Sequence, residues 1–274
     1  IQYFLHGASQ VVLQKSVLAG GLCLTGIALG GNSLFAGACT SLAIATAIGR
    51  NCQGLSGFNA MLAGCAGFAL LEPTFPTWIL IIIGAILTVP IRYILNRLLK
   101  RINVTSLTLP FIFVTWLMLA TAPALGISYK ISESGIMASD ISAVSIFEGL
   151  LKGLSQIFLV NSWIGGLLIW LGLYISDRKS ALWAIIGSAT GMTMAAASGC
   201  EWDQIVNGIW GFSAALTAIA LCKNMSTLLT MAAIAATFIS QFALSPILAA
   251  FGMPVLTLPF CIITLIFQLL HNLR

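Results

Sequence analysis

Long apolar stretches separated by short polar breaks run along nearly the whole chain. A helix that crosses a bilayer needs about 20 apolar residues, so this pattern predicts helices that span, or partly span, a membrane. Five stretches precede and five follow a polar connector, SYKISESGIMASD, at 128–140. The ten stretches are 17–30, 33–48, 58–71, 75–91, 104–126, 155–176, 181–199, 205–222, 225–250 and 254–270.

Composition excludes the main soluble classes. Of the 274 residues, 59% are hydrophobic and 7% are charged, whereas roughly a quarter of an ordinary soluble domain is charged. A soluble enzyme, a disordered protein and a nucleic-acid-binding domain are therefore excluded, and no nucleic-acid partner is predicted. The chain is predicted to be an all-α polytopic membrane protein surrounded by lipid.

The basic residues predict which side of the membrane one loop faces, and the cysteines argue against a metal site. Lys and Arg number 12 against 7 Asp and Glu. The densest basic run, at 92–101, predicts a cytoplasmic loop, with contact to lipid headgroups as the alternative. The 7 cysteines lack CxxC spacing and mostly lie in apolar segments. We interpret them as small buried hydrophobes and predict no metal site and no cofactor.

Three segments recur in the same order with a nearly constant offset, which indicates an internal duplication. Residues 1–127 and 141–274 would form the two halves, with 128–140 as their connector. Because each half holds about five spans, an odd number, the second half is predicted to be inverted, with one translocation path along the pseudo-two-fold axis. The matched segments are 7–13 with 153–159, 54–62 with 208–216, and 107–111 with 256–260.

The repeated motifs pair an amide with an apolar stripe. Gln10 and Gln156 lie in apolar segments, where an amide needs a partner or water. Each could offer a carbonyl acceptor at a pore mouth, or simply join two helices. Phe58 and Leu62 are four residues apart and would share a helix face, as would their counterparts in the second half, Phe212 and Leu216. Such stripes usually pack in a core, but a facing pair could form a flat apolar slot.

The third motif, Leu-Thr-Leu-Pro-Phe, places a proline inside one apolar stretch of each half. Pro110 and Pro259 would each break a helix and expose backbone carbonyl groups, which lipid cannot satisfy. Thr115 and Thr264 each follow five residues later. Their hydroxyls either bond back to their own helix or face each other at a pore centre.

These groups suit a small, neutral, planar solute with several N–H donors. The repeated motifs contain no ionisable residue, and removing the water from an ion costs several kcal/mol or more. Glu72, Glu201 and Asp203 lie at segment ends, where interfacial solvation accounts for them.

Taken together, the doubled Gly-x-x-Gln, the Gly-Phe-(Asn/Ser)-Ala-x-Leu stretches and both Leu-Thr-Leu-Pro-Phe segments resemble the urea transporter family over essentially the whole chain. The resemblance implies homotrimers with one pore per protomer, built from two inverted five-span repeats and two short re-entrant helices. It also implies a bacterial inner-membrane type, since no long hydrophilic tails are present.

The resemblance further implies roles for individual positions. Gln10 with Val11, and Gln156 with Ile157, would stand at the two mouths. Phe58 with Leu62, and Phe212 with Leu216, would wall two urea slots. Leu13 and Leu159 occupy places where the family often has an aromatic residue. Thr115 and Thr264 would flank the central constriction.

The resulting hypothesis is a passive, channel-like urea permease. One alternative is a channel for another small neutral solute, such as a short amide, ammonia or water. Another is a membrane scaffold without a transport role. A membrane-embedded enzyme is not supported, because the spans contain neither a nucleophile–base pair nor a metal cluster.

Overall fold

A computed structural model describes residues 1–49, 54–130 and 142–272, so residues 131–140 of the polar connector lie outside it. Within these ranges the chain is helical and contains no strand, only an isolated antiparallel bridge between Leu71 and Tyr129. The all-α class is therefore confirmed. The helices are α1 (Gln2–Gln10), α2 (Val17–Ala28), α3 (Asn32–Ile48), α4 (Gly57–Leu70), α5 (Phe75–Leu99), α6 (Leu109–Thr121), α7 (Ala143–Ser155), α8 (Trp163–Ser176), α9 (Arg178–Ala197), α10 (Trp202–Val206), α11 (Phe212–Leu221), α12 (Thr227–Ala250) and α13 (Leu258–Asn272).

Several of these helices are suited to a membrane. Among the described residues, three are long and apolar enough to cross one: Phe75–Ile102, Arg178–Ala197 and Thr227–Ala250. A fourth span results if the bent pair α7 and α8 is taken as one. Six further apolar helices (α2, α3, α4, α6, α11 and α13) are 10–17 residues long. A helical protein with several apolar, membrane-compatible helices is thus supported, while the number of ten spans stays a prediction.

The segment that carries Gln156 is a short helix followed by a sharp turn. Ala143–Phe158 and Trp163–Ser176 are bent by 75° relative to each other. At the turn Leu159 has a left-handed backbone, with φ +57°. Ser155 Oγ lies 2.7 Å from the Val160 carbonyl oxygen, and the Ser162 amide donates to the same hydroxyl at 3.4 Å. The buried serine therefore bridges the two sides of the turn.

The first half turns in the same way after α1. Leu13 has φ +58°, Ser9 Oγ lies 3.0 Å from the Gln14 carbonyl oxygen, and the Ser16 amide donates to Ser9 Oγ at 3.2 Å. Ser16 then caps α2 by accepting from the Ala19 amide. Each of these positions lies 146 residues before its counterpart in the second half, which gives the matched Ser-Gln motif a structural reason.

Helices α2 and α8 pack through small residues, and their contacts are reciprocal. A Cβ on Gly26 would lie 3.0 Å from the Gly165 carbonyl oxygen, and a Cβ on Gly165 would lie 3.0 Å from that of Gly26. A Cβ on Gly172 would lie 3.2 Å from Cα of Ala19. An exchange of the two halves at an offset of 146 converts the contact of Gly26 with Gly165 into the contact of Gly172 with Ala19. Small residues at such crossings let helices approach closely in lipid.

The short helix α1 also rests on α2 through a glycine. A Cβ on Gly20 would overlap the Leu5 carbonyl oxygen, and a Cβ on Gly166 would overlap that of Leu151, again at an offset of 146. The backbone of each short helix is therefore in direct contact with the helix that follows it, and only glycine fits at the contact.

We expect Gly20→Ala to displace α1 and to lower the apparent Tm by more than about 5 °C, because overpacking against backbone costs about 1–3 kcal/mol or more. Thermal unfolding of the detergent-purified protein, followed by tryptophan fluorescence, measures this. Gly21→Ala is the matched control, because a Cβ there meets nothing within 4 Å and alanine favours a helix. Equal stability of the two variants would contradict the contact.

Candidate functional site

Two cavities bring together most of the residues predicted to line a pore. The small cavity has a volume of about 340 Å³ and the large cavity a volume of about 630 Å³. Their linings contain corresponding residues of the two halves. The small cavity is lined by Gln10, Leu13 and Phe58, among others. The large cavity is lined by Gln156, Ile157, Leu159 and Phe212, among others.

The other predicted site residues line neither cavity. They are all buried in the protein, and none is more than 2% exposed. Their roles stay predictions. The two leucines are predicted to form the slots, the valine to stand at a mouth, and the two threonines to flank the constriction. These residues are Val11, Leu62, Leu216, Thr115 and Thr264.

Four leucines with a left-handed backbone line the two cavities. Leu13 and Leu107, with φ +58° and +47°, line the small cavity. Leu159 and Leu256, with φ +57° and +50°, line the large one. A left-handed L-residue other than Gly or Asn costs about 1–2 kcal/mol, and such residues cluster at functional sites. Asn103 is the fifth described non-glycine residue with positive φ.

Gln156 is held by the backbone of the segment after α10. Its Nε2 donates to the Asn207 carbonyl oxygen at 3.0 Å. Because a carbonyl oxygen only accepts, the amide nitrogen must face it, and the amide oxygen points to the other side. This arrangement leaves a carbonyl acceptor on a residue that lines the large cavity.

Asn59 holds the start of α6 in the first half. It is fully buried, its Nδ2 donates to the Leu107 carbonyl oxygen at 3.2 Å, and the Phe111 amide donates to its Oδ1 at 3.1 Å. The first amides of a helix have no partner within it, so Asn59 satisfies one of these. Its counterpart Ser213 is also fully buried, but its Oγ has no hydrogen-bond partner among the described residues.

The expectation that the motif prolines interrupt helices is wrong. Pro110 lies in the first turn of α6 and Pro259 is the second residue of α13. A proline in the first turn removes no helical hydrogen bond. The backbone breaks just before each helix instead, at the left-handed Leu107 and Leu256.

The two Leu-Thr-Leu-Pro-Phe segments contact each other. Thr108 Oγ1 and Thr257 Oγ1, at an offset of 149, form a buried hydrogen bond of 2.7 Å. Thr108 Oγ1 also lies 3.1 Å from Cys261 Sγ. The breaks before α6 and α13 are thus joined at equivalent positions of the two halves.

Thr115 and Thr264 do not bond back to their own helices. They are 1% and 0% exposed, and neither Oγ1 has a hydrogen-bond partner within the described part of the chain. Other threonines in the protein do bond back, for example Thr121 to the Leu117 carbonyl at 2.9 Å. The alternative that explains them by local bonding is therefore wrong, and their role at a pore centre stays a prediction.

The cavities differ in charge. Lys15 and Arg92 line the small cavity, whereas Glu201 and Asp203 line the large one. The carboxylates are hydrogen-bonded locally: Gln204 Nε2 donates to Glu201 at 2.9 Å and Asn207 Nδ2 to Asp203 at 3.2 Å. The repeated motifs are neutral, but the large cavity as a whole is not. Interfacial solvation of these two acids stays a prediction.

Sequence reasoning missed three groups of the site. Asn59 lies within a matched motif, but its side-chain bonds depend on where Leu107 folds. The Thr108–Thr257 bond requires the two halves to meet. Gln241, an amide within the apolar stretch 225–250, lines the large cavity. An amide in an apolar stretch indicates a functional position, but Gln241 lies in none of the repeated segments.

The match to a known family decides the identity. A model of the family described as urea transporter matches residues 1–272. The chain belongs to the urea transporter family. It is 28% identical to Urea transporter 1 of Ovis aries and to that of Capra hircus, over 98% of this chain and 77% of each relative. It is 27% identical to Urea transporter 1 of Mus musculus, with the same coverage. The sequence-based resemblance is thus confirmed.

Proposed function

We propose that this protein is a passive, channel-like urea transporter with one pore per protomer. The observation that carries the proposal is the pair of cavities with corresponding amide, leucine and phenylalanine linings. Family membership and the names of the relatives support urea as the solute. The lining offers amide oxygens and apolar faces, which fit a small planar molecule rich in N–H donors.

The proposed framework consists of two inverted repeats, 1–127 and 141–274, with ten spans and with α1 and α7 as re-entrant half-helices. The reciprocal contacts of α2 with α8 support a two-fold relation between the halves, since such a relation makes contacts occur in equivalent pairs. The Thr108–Thr257 bond would lie on this axis. The 75° bend after α7 supports a re-entrant segment.

Along the proposed path, urea exchanges water for protein acceptors in steps. Gln156 and its counterpart Gln10 would accept N–H groups in the two cavities. Phe58 with Leu62, and Phe212 with Leu216, would limit the thickness of the solute. The hydroxyls of Thr115 and Thr264 would supply acceptors at the constriction. Because an unsatisfied N–H costs about 1–3 kcal/mol in a dry site, these acceptors lower the barrier.

A passive mechanism follows from the buried polar groups. Among the described residues, the buried side chains include no carboxylate, lysine or arginine. The buried histidine, His6, has no histidine counterpart in the second half, where Lys152 stands. Coupling to protons or sodium usually relies on such groups inside the membrane. We therefore propose downhill flux that does not depend on ion gradients.

Orientation, assembly and location belong to the same proposal. The small cavity, with Arg92 from the basic run at 92–101, would face the cytoplasm, as the bias of basic residues in loops suggests. A homotrimer in the bacterial inner membrane follows from the resemblance. Native mass spectrometry of the detergent-solubilised protein would give the oligomeric state.

Stopped-flow light scattering on proteoliposomes tests the function. We expect saturable urea flux that is unchanged by proton or sodium gradients. Accumulation of urea against its gradient would contradict a passive channel. Acetamide, methylurea, thiourea, ammonia and water are the comparison solutes, and a larger selective flux of any of them would favour the alternative channel. Apolar replacement of Gln10, Gln156, Thr115 and Thr264 without loss of flux would favour a scaffold.

A further inference from the structure

Gln241 is a buried amide on α12 that none of the repeated motifs contains. It is 3% exposed and lines the large cavity together with Gln156. Its Nε2 donates to the Ile209 carbonyl oxygen at 2.8 Å. An amide this deep in an apolar helix is costly unless its groups are used.

The hydrogen bond determines which way the amide faces. The Ile209 carbonyl can only accept, so the nitrogen of Gln241 must face it and Oε1 points away from it. Oε1 accepts no hydrogen bond from the described part of the chain. An N–H donor in the cavity can therefore bind to this oxygen.

Gln156 and Gln241 both donate hydrogen bonds to the backbone of the same short turn. Gln156 donates to the carbonyl of Asn207 and Gln241 to that of Ile209, the residues on either side of Gly208. The two side chains come from different parts of the fold, yet neither amide oxygen accepts a hydrogen bond from the described residues. The large cavity thus holds two acceptors anchored to one segment of backbone.

The first half has no amide at the position that corresponds to Gln241. Helices α5 and α12 each contain an internal proline, Pro90 and Pro246. When the helices are matched on these prolines, Gln241 corresponds to Ala85, which has no polar side chain. The large cavity therefore has a buried amide at a position where the first half has an alanine.

We propose that Gln241 is a urea-binding residue of the large cavity, whose Oε1 acts together with that of Gln156 on one solute molecule. This inference rests on the proposed urea transport. Urea carries four N–H donors, so two amide oxygens replace part of the hydration that it loses on entering the cavity. The oxygen of Gln241 thereby raises the affinity of the large cavity for urea.

The test compares two substitutions that both remove the amide N–H that donates to the Ile209 carbonyl. Gln241→Leu also removes the acceptor, whereas Gln241→Glu keeps an acceptor oxygen. We expect Gln241→Leu to raise the half-saturation concentration of urea about five- to tenfold, the effect of one hydrogen bond. Flux at saturating urea should stay within about twofold of the parent. Gln241→Glu should restore most of the affinity. Stopped-flow urea flux over a concentration series measures both quantities.

The outcomes separate this inference from the function on which it rests. If the parent does not transport urea, the proposed function fails. If the parent transports urea and Gln241→Leu has the parental half-saturation, only the role of Gln241 fails. Equal loss of affinity in the Leu and Glu variants would indicate a purely structural role and would overturn the inference. Gln268→Leu is the control, because Gln268 lies outside both the small and the large cavity. If Gln241→Leu does not fold, Gln241→Met takes its place.

Discussion

Urea flux through a Thr115→Val, Thr264→Val double variant is expected to fall by about one to two orders of magnitude. Both hydroxyls are buried and have no hydrogen-bond partner among the described residues. At a dry constriction they would be the acceptors that keep the N–H groups of the solute satisfied. Valine keeps the shape of threonine but cannot accept, so the solute would cross this region without compensation. Stopped-flow light scattering on proteoliposomes gives the flux.

Stability distinguishes this effect from damage to the fold. Since neither hydroxyl bonds to the described protein, replacing it with a methyl group should leave the apparent Tm unchanged or raise it. Thr121→Val, on the same helix as Thr115, removes a hydroxyl that bonds back to the helix and should leave urea flux at the parental level. Parental flux in the double variant would mean that the threonine pair does not serve the solute.

Asn59→Leu is expected to destabilise the protein by about 2–5 kcal/mol and to lower its apparent Tm by about 5–15 °C. The substitution leaves the Leu107 carbonyl and the Phe111 amide, both in buried residues, without their side-chain partner. Leu107 lines the small cavity and Phe111 the large one. Displacement of this segment should therefore abolish most of the urea flux as well. Thermal unfolding and stopped-flow flux measure the two effects.

Ser213→Ala is the matched control for Asn59. Ser213 occupies the corresponding place in the second half and is equally buried, but its hydroxyl has no partner among the described residues. Its removal should change the apparent Tm by less than about 2 °C, because no hydrogen bond is lost. An Asn59→Leu variant as stable as the Ser213→Ala variant would contradict the role of Asn59 in holding the segment.

Much of the cavity lining could be predicted because lipid restricts where polar groups occur. Gln10, Gln156, Phe58 and Phe212 stand out as repeated positions in apolar segments, and all four line a cavity. The prediction that Pro110 and Pro259 interrupt helices is wrong, because an apolar run continues through a backbone break without a change in composition. Leu107 illustrates this: nothing in its side chain indicates a left-handed backbone.

The sequence by itself determined the all-helical class, the membrane-compatible composition and the family, since these depend on hydropathy and on motifs in order along the chain. Only the tertiary structure decided that Asn59 holds the Leu107–Phe111 segment, that Thr108 bonds Thr257, and that Gln241 shares a cavity with Gln156. Each of these facts joins residues far apart in the chain. The reason is physical: a hydrogen bond depends on distances of about 3 Å in space, and a pattern along the chain carries no information about such distances between remote segments.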